Sequence, residues 1–321
     1  MSNPRALALV SVVCWAFSAY LTRSISMRSP VALLLVSFSA GFATLLVYFA
    51  LLRPNAVAGS FTRIRAGYVV LGPLGYYVYA VALFQSYRAF NTASQTTVLN
   101  YTWPLFTVLF TEVLFRHADR RALLQGVLEA AGIAVGFLSV FVLATEGRLT
   151  EFDFANPAGI AWGLLAGASY GLFSAYSSTV ASGEQGAFLL TSVLASAALV
   201  FLTAVVTTEI SLLTTLTLQD MIYPIVWGCV GNGVGYIAWT RANRLAREQG
   251  VGVSAIASAM FVLPLLGLVL VAVLLKERQL WQGYFALSVA LILLSSALCQ
   301  RARAVAAWVG RRAALAPEGI D

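Results

Sequence analysis

Apolar residues dominate this chain in long runs, and short segments rich in arginine, glycine and proline separate those runs. Each run covers about 18–25 residues, which is enough for a helix to cross about 30 Å of hydrocarbon. The pattern predicts about ten membrane-spanning helices and leaves no stretch for a sizeable soluble domain. The predicted spans lie near residues 5–22, 31–52, 66–88, 93–115, 122–143, 157–181, 186–207, 221–245, 251–275 and 280–300.

Composition agrees with this prediction. The chain is 60% hydrophobic and 10% charged, whereas a typical soluble domain is about 25% charged. We therefore expect an all-α integral membrane protein whose first helix is retained and is not a signal peptide. The three cysteines fall inside predicted spans and are interpreted as packing residues. With one histidine, His117, the sequence predicts neither a metal site nor a cofactor.

Two stretches of the chain resemble one another, with an offset of about 156–160 residues. Duplicated membrane bundles are typical of transporters, and a repeat should be sought before other assignments are made. The matching residues are Pro104-Leu105 with Pro264-Leu265, Ser94 with Ser254, Val113-Leu114 with Val273-Leu274, Arg116 with Lys276, and Phe17-Ser18-Ala19-Tyr20 with Phe173-Ser174-Ala175-Tyr176.

The distribution of basic residues predicts the orientation. If the N-terminus is cytoplasmic, inner segments carry 14 Lys and Arg residues and outer segments carry 6. Both termini should therefore be cytoplasmic. This bias accounts for the net charge of +7, and because the arginines are spread over several loops, a nucleic-acid partner is not expected.

An odd number of helices in each copy would place the second copy upside down in the membrane. The predicted units are a first repeat over 1–145, an inverted second repeat over 146–300 and a basic cytoplasmic tail over 301–321. The interface of inverted repeats near the bilayer midplane is the usual transport site, exposed to each side in turn by rocking of the halves. An old duplication retained only for packing is the alternative.

The repeated motifs resemble the EamA domain of the drug/metabolite transporter superfamily. The resemblance covers about 5–300 and implies ten helices in a five-plus-five inverted arrangement, with a central cavity lined by helices one to four and six to nine. Size and helix-borne aromatic residues most resemble the YddG-type aromatic amino acid exporters. The motif residues are Pro264, Lys276-Glu277-Arg278 and Gln282-Gly283 in the second copy, and Pro104, Arg116 and Gln125-Gly126 in the first, where His117 replaces the usual glutamate.

Polar and aromatic stripes along the predicted helices independently indicate a cavity, because polar groups in mid-bilayer must face protein or water. The alternative for the serines is a bond to their own helix backbone. We expect Pro104 and Pro264 to bend their helices beside the site. The predicted substrate-binding residues are Ser18, Tyr79, Asn100, Trp103, Trp162, Ser169, Asn232, Tyr236, Trp239 and Ser258.

No Lys or Arg maps to mid-depth, which argues against phosphorylated substrates. The sequence therefore predicts an inner-membrane, multi-pass exporter of small organic solutes, above all amino acids including aromatic ones, that works as a monomer or homodimer. Efflux of another neutral metabolite or drug is the alternative. A membrane-embedded enzyme would need clustered acids and bases, and only Glu112 and Glu129 lie within spans. Glu112 precedes Arg116 by four residues, which favours a salt bridge, and Glu129 is interpreted as structural, with proton coupling left open.

Overall fold

All the elements that the computed structural model describes are helical. It describes residues 3–24, 30–52, 65–90, 93–114, 123–148, 150, 152, 154–251, 253–275 and 283–315, and none of these residues lies in a strand.

The helices fall close to the predicted spans. In the first part of the chain they are α1 (Pro4–Ser24), α2 (Pro30–Leu52), α3 (Ala66–Pro73, Leu74–Val78 and Tyr79–Ala89), α4 (Ala93–Asn100 and Trp103–Leu114) and α5 (Leu123–Ala144). In the second part they are α6 (Pro157–Ser177), α7 (Gln185–Val206), α8 (Leu218–Trp227, Gly228–Gly235 and Tyr236–Glu248), α9 (Val253–Ala257, Ser258–Phe261 and Val262–Leu275) and α10 (Gly283–Leu315). Helix α10 continues through most of the stretch predicted as a tail.

Seven of the described helices are long and apolar enough to cross a membrane, which confirms an all-α membrane protein at this level. Two shorter apolar helices, Pro4–Phe17 and Ser254–Gly267, accompany them among the described residues. The seven stretches are Pro30–Leu52, Ala66–Ala89, Leu124–Ala144, Pro157–Ser177, Ser182–Val206, Asp220–Glu248 and Gly283–Val309.

Local sequence explains where several helices begin and end. Asn156 precedes α6, and its side chain accepts a hydrogen bond from the Gly159 amide at 2.9 Å, while Pro157 occupies the first helical position. Such a polar cap and a proline without an amide hydrogen suit a helix start. Helix α8 is followed by Gly250, whose φ of 65° lies in the left-handed region that glycine adopts without strain.

Helices α3 and α8 each contain a π-helical segment that follows a proline. Leu74–Val78 comes directly after Pro73, and Gly228–Gly235 follows Pro224 by four residues. Proline lacks the amide hydrogen and clashes with the carbonyl one turn earlier, so the regular hydrogen-bond ladder is disturbed at these places. A π segment then carries an extra residue in the turn.

Helices α4 and α9 are irregular just before their prolines. Helix α4 is interrupted at residues 101–102 before Pro104, and α9 tightens to a 3₁₀-helix over Ser258–Phe261 before Pro264. Helices α3 and α8 thus share a π segment, and α4 and α9 are both irregular just before a proline.

Small residues allow the helices to approach closely. A Cβ at Gly163, Gly167 or Gly171 of α6 would fall within 2.7 Å of side-chain atoms of Leu99, Thr102 or Phe106, so only small residues allow α4 to lie this close. Helices α5 and α10 pack together, and Ser139 and Ser288 each donate a hydroxyl hydrogen bond to the carbonyl of the other, at 3.1 and 3.2 Å.

Candidate functional site

Eight aromatic rings converge between α1, α3, α4, α6 and α8 and form a central aromatic cluster. Centroids of contacting rings lie 4.0–6.0 Å apart. Six of the eight side chains are buried, and those of Trp15 and Tyr79 are partly buried. The rings belong to Trp15, Tyr76, Tyr79, Trp103, Tyr170, Phe173, Tyr236 and Trp239.

Trp239 is the largest of the fully buried side chains. Its indole Nε1 donates a hydrogen bond to Ser174 Oγ at 2.9 Å. The Trp103 ring meets it edge-on, with centroids 5.3 Å apart and planes at 90°. Because edge-to-face pairs and a satisfied N–H both favour this placement, the indole has a fixed orientation at the centre of the protein.

Tyr76 and Tyr236 form a crossed pair between α3 and α8. Their rings stack with centroids 4.0 Å apart and an interplanar angle of 19°. The Tyr236 hydroxyl donates to the Gly75 carbonyl at 2.6 Å, and the Tyr76 hydroxyl lies 3.4 Å from the Asn232 carbonyl. The hydroxyl of each tyrosine is therefore directed at a backbone carbonyl in the π segment of the other helix.

The π segment of α8 also accepts two hydrogen bonds from α1. Trp15 Nε1 donates to the Gly231 carbonyl at 3.1 Å, and Ser11 Oγ donates to the Gly235 carbonyl at 3.0 Å. Because a π turn displaces carbonyls from the regular α-helical ladder, side chains of neighbouring helices can reach them.

Glycine is required where rings rest on these segments. A Cβ at Gly75 would lie 2.2 Å from the Phe173 ring, and one at Gly235 would lie 2.6 Å from Trp15 Nε1. No real Cβ approaches a neighbouring atom so closely, so any larger residue would displace a ring of the central aromatic cluster.

Two polar atoms beside the cluster have no hydrogen-bond partner. The Tyr170 hydroxyl lies near Ser174 and Tyr236 but meets neither in hydrogen-bond geometry. Asn100 Oδ1 is likewise unpaired, although the Asn100 amide lies beside the Tyr79 hydroxyl. These atoms are a donor and acceptors for a polar group beside the aromatic rings.

The structure brings four of the predicted substrate-binding residues together in the central aromatic cluster: Tyr79, Trp103, Tyr236 and Trp239. Asn100 lies beside Tyr79. The Asn232 side chain instead donates to Ser37 Oγ on α2 at 2.7 Å.

Three of the other predicted residues have different surroundings among the described residues. Ser169 and Ser258 donate to carbonyls of their own helices, at Ala166 and Ala255. Trp162 is 38% exposed. The side chain of Ser18 lies outside the described residues.

Tyr76 and Tyr170 are not among the site residues predicted from the sequence. A signal for Tyr76 was present, because Gly75-Tyr76 and Gly235-Tyr236 are separated by the same 160 residues as Pro104 and Pro264. Nothing comparable distinguishes Tyr170 from the other tyrosines in the chain.

At the end of the bundle where α3 and α7 begin and where α2, α6 and α8 finish, here called the closed end, side chains of different helices bind one another. Here Arg65 forms a salt bridge of 2.5 Å with Glu184, whose other carboxylate oxygen accepts from the Tyr68 hydroxyl at 2.6 Å. Gln185 Nε2 donates to the Thr240 carbonyl at 3.2 Å. A cavity beside these residues measures about 10 Å³, scarcely room for one water molecule.

The acidic residues within the helices lie away from the cluster rings. Glu129 of α5 is buried and accepts a hydrogen bond from Gln125 Nε2 at 2.8 Å. The predicted partner of Glu112, Arg116, lies outside the described residues. Among the described residues no three His, Cys, Asp or Glu side chains converge, so the cluster offers aromatic faces, amides and hydroxyls.

Comparisons with known proteins show that solved structures share this fold. No family model and no curated protein sequence matches this chain. In contrast, 22 chains of solved structures are similar to it. One of them, described only as "Crystal structure of protein", superimposes with a TM-score of 0.73 over 97% of this chain and 98% of its own, at 19% sequence identity. At that identity the similarity concerns the fold alone.

Proposed function

We propose that this protein is an inner-membrane exporter of small organic solutes, principally amino acids including aromatic ones, which moves them by alternating access around the central aromatic cluster. The observation that carries the proposal is the crossed pair of Tyr76 and Tyr236, which joins two helices distorted in the same way. Interrupted helices that meet at the centre of a membrane bundle are typical of transport sites.

The proposed architecture has ten spans in two inverted units of five. It is supported by irregularities that recur 160 residues apart, at Gly75-Tyr76 with Gly235-Tyr236 and at Pro104 with Pro264. Reciprocal bonds between Ser139 and Ser288 join the helices that would end each unit. This arrangement agrees with the resemblance to EamA-type transporters of the drug/metabolite superfamily, and we propose membership on that basis.

The walls of the site favour a neutral or zwitterionic solute with an aromatic or apolar part. Indole and phenol rings offer faces for such a part, while the Tyr170 hydroxyl and Asn100 Oδ1 offer polar contacts. The buried Arg244 is paired with Glu248 at 2.6 Å, so its charge is offset. A phosphate group would need unpaired basic side chains to bind it.

The proposed orientation assigns a state to the structure. With both termini in the cytoplasm, the closed end that carries the Arg65–Glu184 salt bridge faces the cytoplasm. The structure then corresponds to a conformation sealed on the cytoplasmic side, and export requires a second conformation in which this end opens.

A flux assay in proteoliposomes tests the proposal. Labelled phenylalanine, threonine and a control sugar would be compared with and without a pH gradient. We expect saturable transport of phenylalanine, lowered by Trp239→Phe, which removes the indole N–H but keeps a ring. Trp308→Ala, which alters an exposed tryptophan of α10, serves as the matched control and should leave flux unchanged. If the protein transported neutral compounds but no amino acid, efflux of a neutral metabolite or drug would be favoured instead.

A further inference from the structure

A second set of polar residues lies between the central aromatic cluster and the closed end, on the face of α8 that meets α6. Trp239 and Arg247, two turns apart on α8, donate to Ser174 and Ser178, one turn apart on α6, at 2.9 and 3.5 Å. Asn243 lies on α8 midway between these two contacts. The bond from Trp239 and the longer contact from Arg247 lie on either side of it along the seam between the two helices.

The Asn243 amide is completely buried, yet neither its Nδ2 nor its Oδ1 has a hydrogen-bond partner. The hydroxyls at the end of α6 are already engaged, since Ser177 and Ser178 donate to carbonyls of their own helix. A buried polar group without a partner is strongly unfavourable. Asn232, the other buried asparagine of α8, shows the usual situation, because its amide bonds to Ser37.

We infer that Asn243 is a substrate-binding residue of the α6–α8 seam, which meets the head group of a free α-amino acid when the closed end opens. This inference rests on the proposed function and names the substrate class of the same transport path. A carboxamide presents one donor and one acceptor side by side. The carboxylate and ammonium of a zwitterionic amino acid present the complementary acceptor and donor.

The neighbours of Asn243 fix the direction in which such a ligand would lie. Arg247, one turn towards the closed end, is half-buried and already contacts Ser178, and its positive charge favours an orientation with the carboxylate on this side. Trp239, one turn towards the central aromatic cluster, offers an indole face to an aromatic or apolar side chain. An amino acid that enters from the closed end would therefore be oriented with its side chain leading into the cluster.

The first test replaces the amide by an apolar group of similar size. Because no hydrogen bond of Asn243 is lost in the closed state, Asn243→Leu should melt at the same temperature as the wild type or higher. It should nevertheless raise the apparent KM for phenylalanine about tenfold, the effect of losing one bond to a charged group. The matched control is Thr240→Val, since this buried hydroxyl bonds only within its own helix.

The second test asks whether the residue meets the carboxylate. Asn243→Asp keeps an acceptor but adds a negative charge, so it should reduce transport of phenylalanine and spare phenylalaninamide, which has no carboxylate. Equal losses for both compounds, an unchanged KM in Asn243→Leu, or a lowered melting temperature with proportional loss of all transport would overturn the inference. If the wild-type protein transports neither compound, the proposed function is wrong, and so is the inference that depends on it.

Discussion

The crossed tyrosines give a quantitative prediction, because their two hydroxyl contacts differ in length. Tyr236→Phe removes the bond of 2.6 Å to the Gly75 carbonyl, and Tyr76→Phe removes the contact of 3.4 Å to the Asn232 carbonyl. Hydroxyl hydrogen bonds are usually about 2.7–2.8 Å long. The first contact is therefore a strong bond and the second a weak one, while phenylalanine retains the ring stack in both variants.

We expect Tyr236→Phe to lower the free energy of unfolding by about 1–2 kcal/mol, because the buried Gly75 carbonyl is left without its hydrogen-bond donor. Tyr76→Phe should lower it by less than about 0.5 kcal/mol, since little bonding exists at 3.4 Å. Equilibrium unfolding by sodium dodecyl sulfate in mixed micelles, followed by circular dichroism, would measure both values. The double variant would reveal coupling between rings in direct contact.

Tyr223→Phe provides the matched control on the same helix, since the Tyr223 side chain is only partly buried. Its unfolding free energy should match that of the wild type. If Tyr76→Phe, or the Tyr223→Phe control, lost as much unfolding free energy as Tyr236→Phe, the assignment of one strong and one weak hydrogen bond would be wrong.

Three further predictions concern topology, packing and the helix irregularities. Reporter fusions after residues 60, 118 and 310 should report a cytoplasmic location and fusions near 150 and 214 an external one, and an external signal at 310 would contradict the proposed orientation. Gly72→Ala would place a Cβ 2.8 Å from the Ser192 Cα and should destabilise the protein by about 1–3 kcal/mol; Gly126→Ala, with no atom within 4 Å, should gain up to about 1 kcal/mol in the same unfolding assay. Pro104→Ala and Pro264→Ala should both slow flux but shift accessibility in opposite directions, because alanine restores a backbone donor and straightens one helix. Labelling of cysteines placed near Ala89 and Ala246 by an impermeant thiol reagent, in protein without native cysteines, would measure the shift. Changes in the same direction, or none in either variant, would assign the prolines to packing alone.

The positions of the helices could be predicted because long apolar runs determine them directly. The ends of the seven candidate spans lie within a few residues of the predicted ends in most cases. The main difference is α10, predicted to end near residue 300 and observed to reach Leu315. The residues beyond 300 are rich in alanine and arginine, which favour helix irrespective of hydrophobicity.

The candidate site was predictable only in part, because the π segments change the helical register. The regular spacing placed Asn232 on one face with Tyr236 and Trp239. In the structure the extra residues of Gly228–Gly235 turn the Asn232 side chain towards α2, while Tyr236 and Trp239 remain in the cluster. A period of 3.6 residues does not hold across a π segment, and no sequence rule locates one in advance.

The stacking of Tyr76 on Tyr236 also bears on how such a chain could arise. A contact in which each partner offers the same ring, and directs its hydroxyl at the π segment of the other, is isologous, the kind found across the two-fold axis of a homodimer. A five-helix chain carrying one such tyrosine could make this ring stack by meeting a second, inverted copy of itself. Fusion of the two copies would then leave the contact intact and free each tyrosine to vary separately, as the unequal lengths of the two hydrogen bonds illustrate.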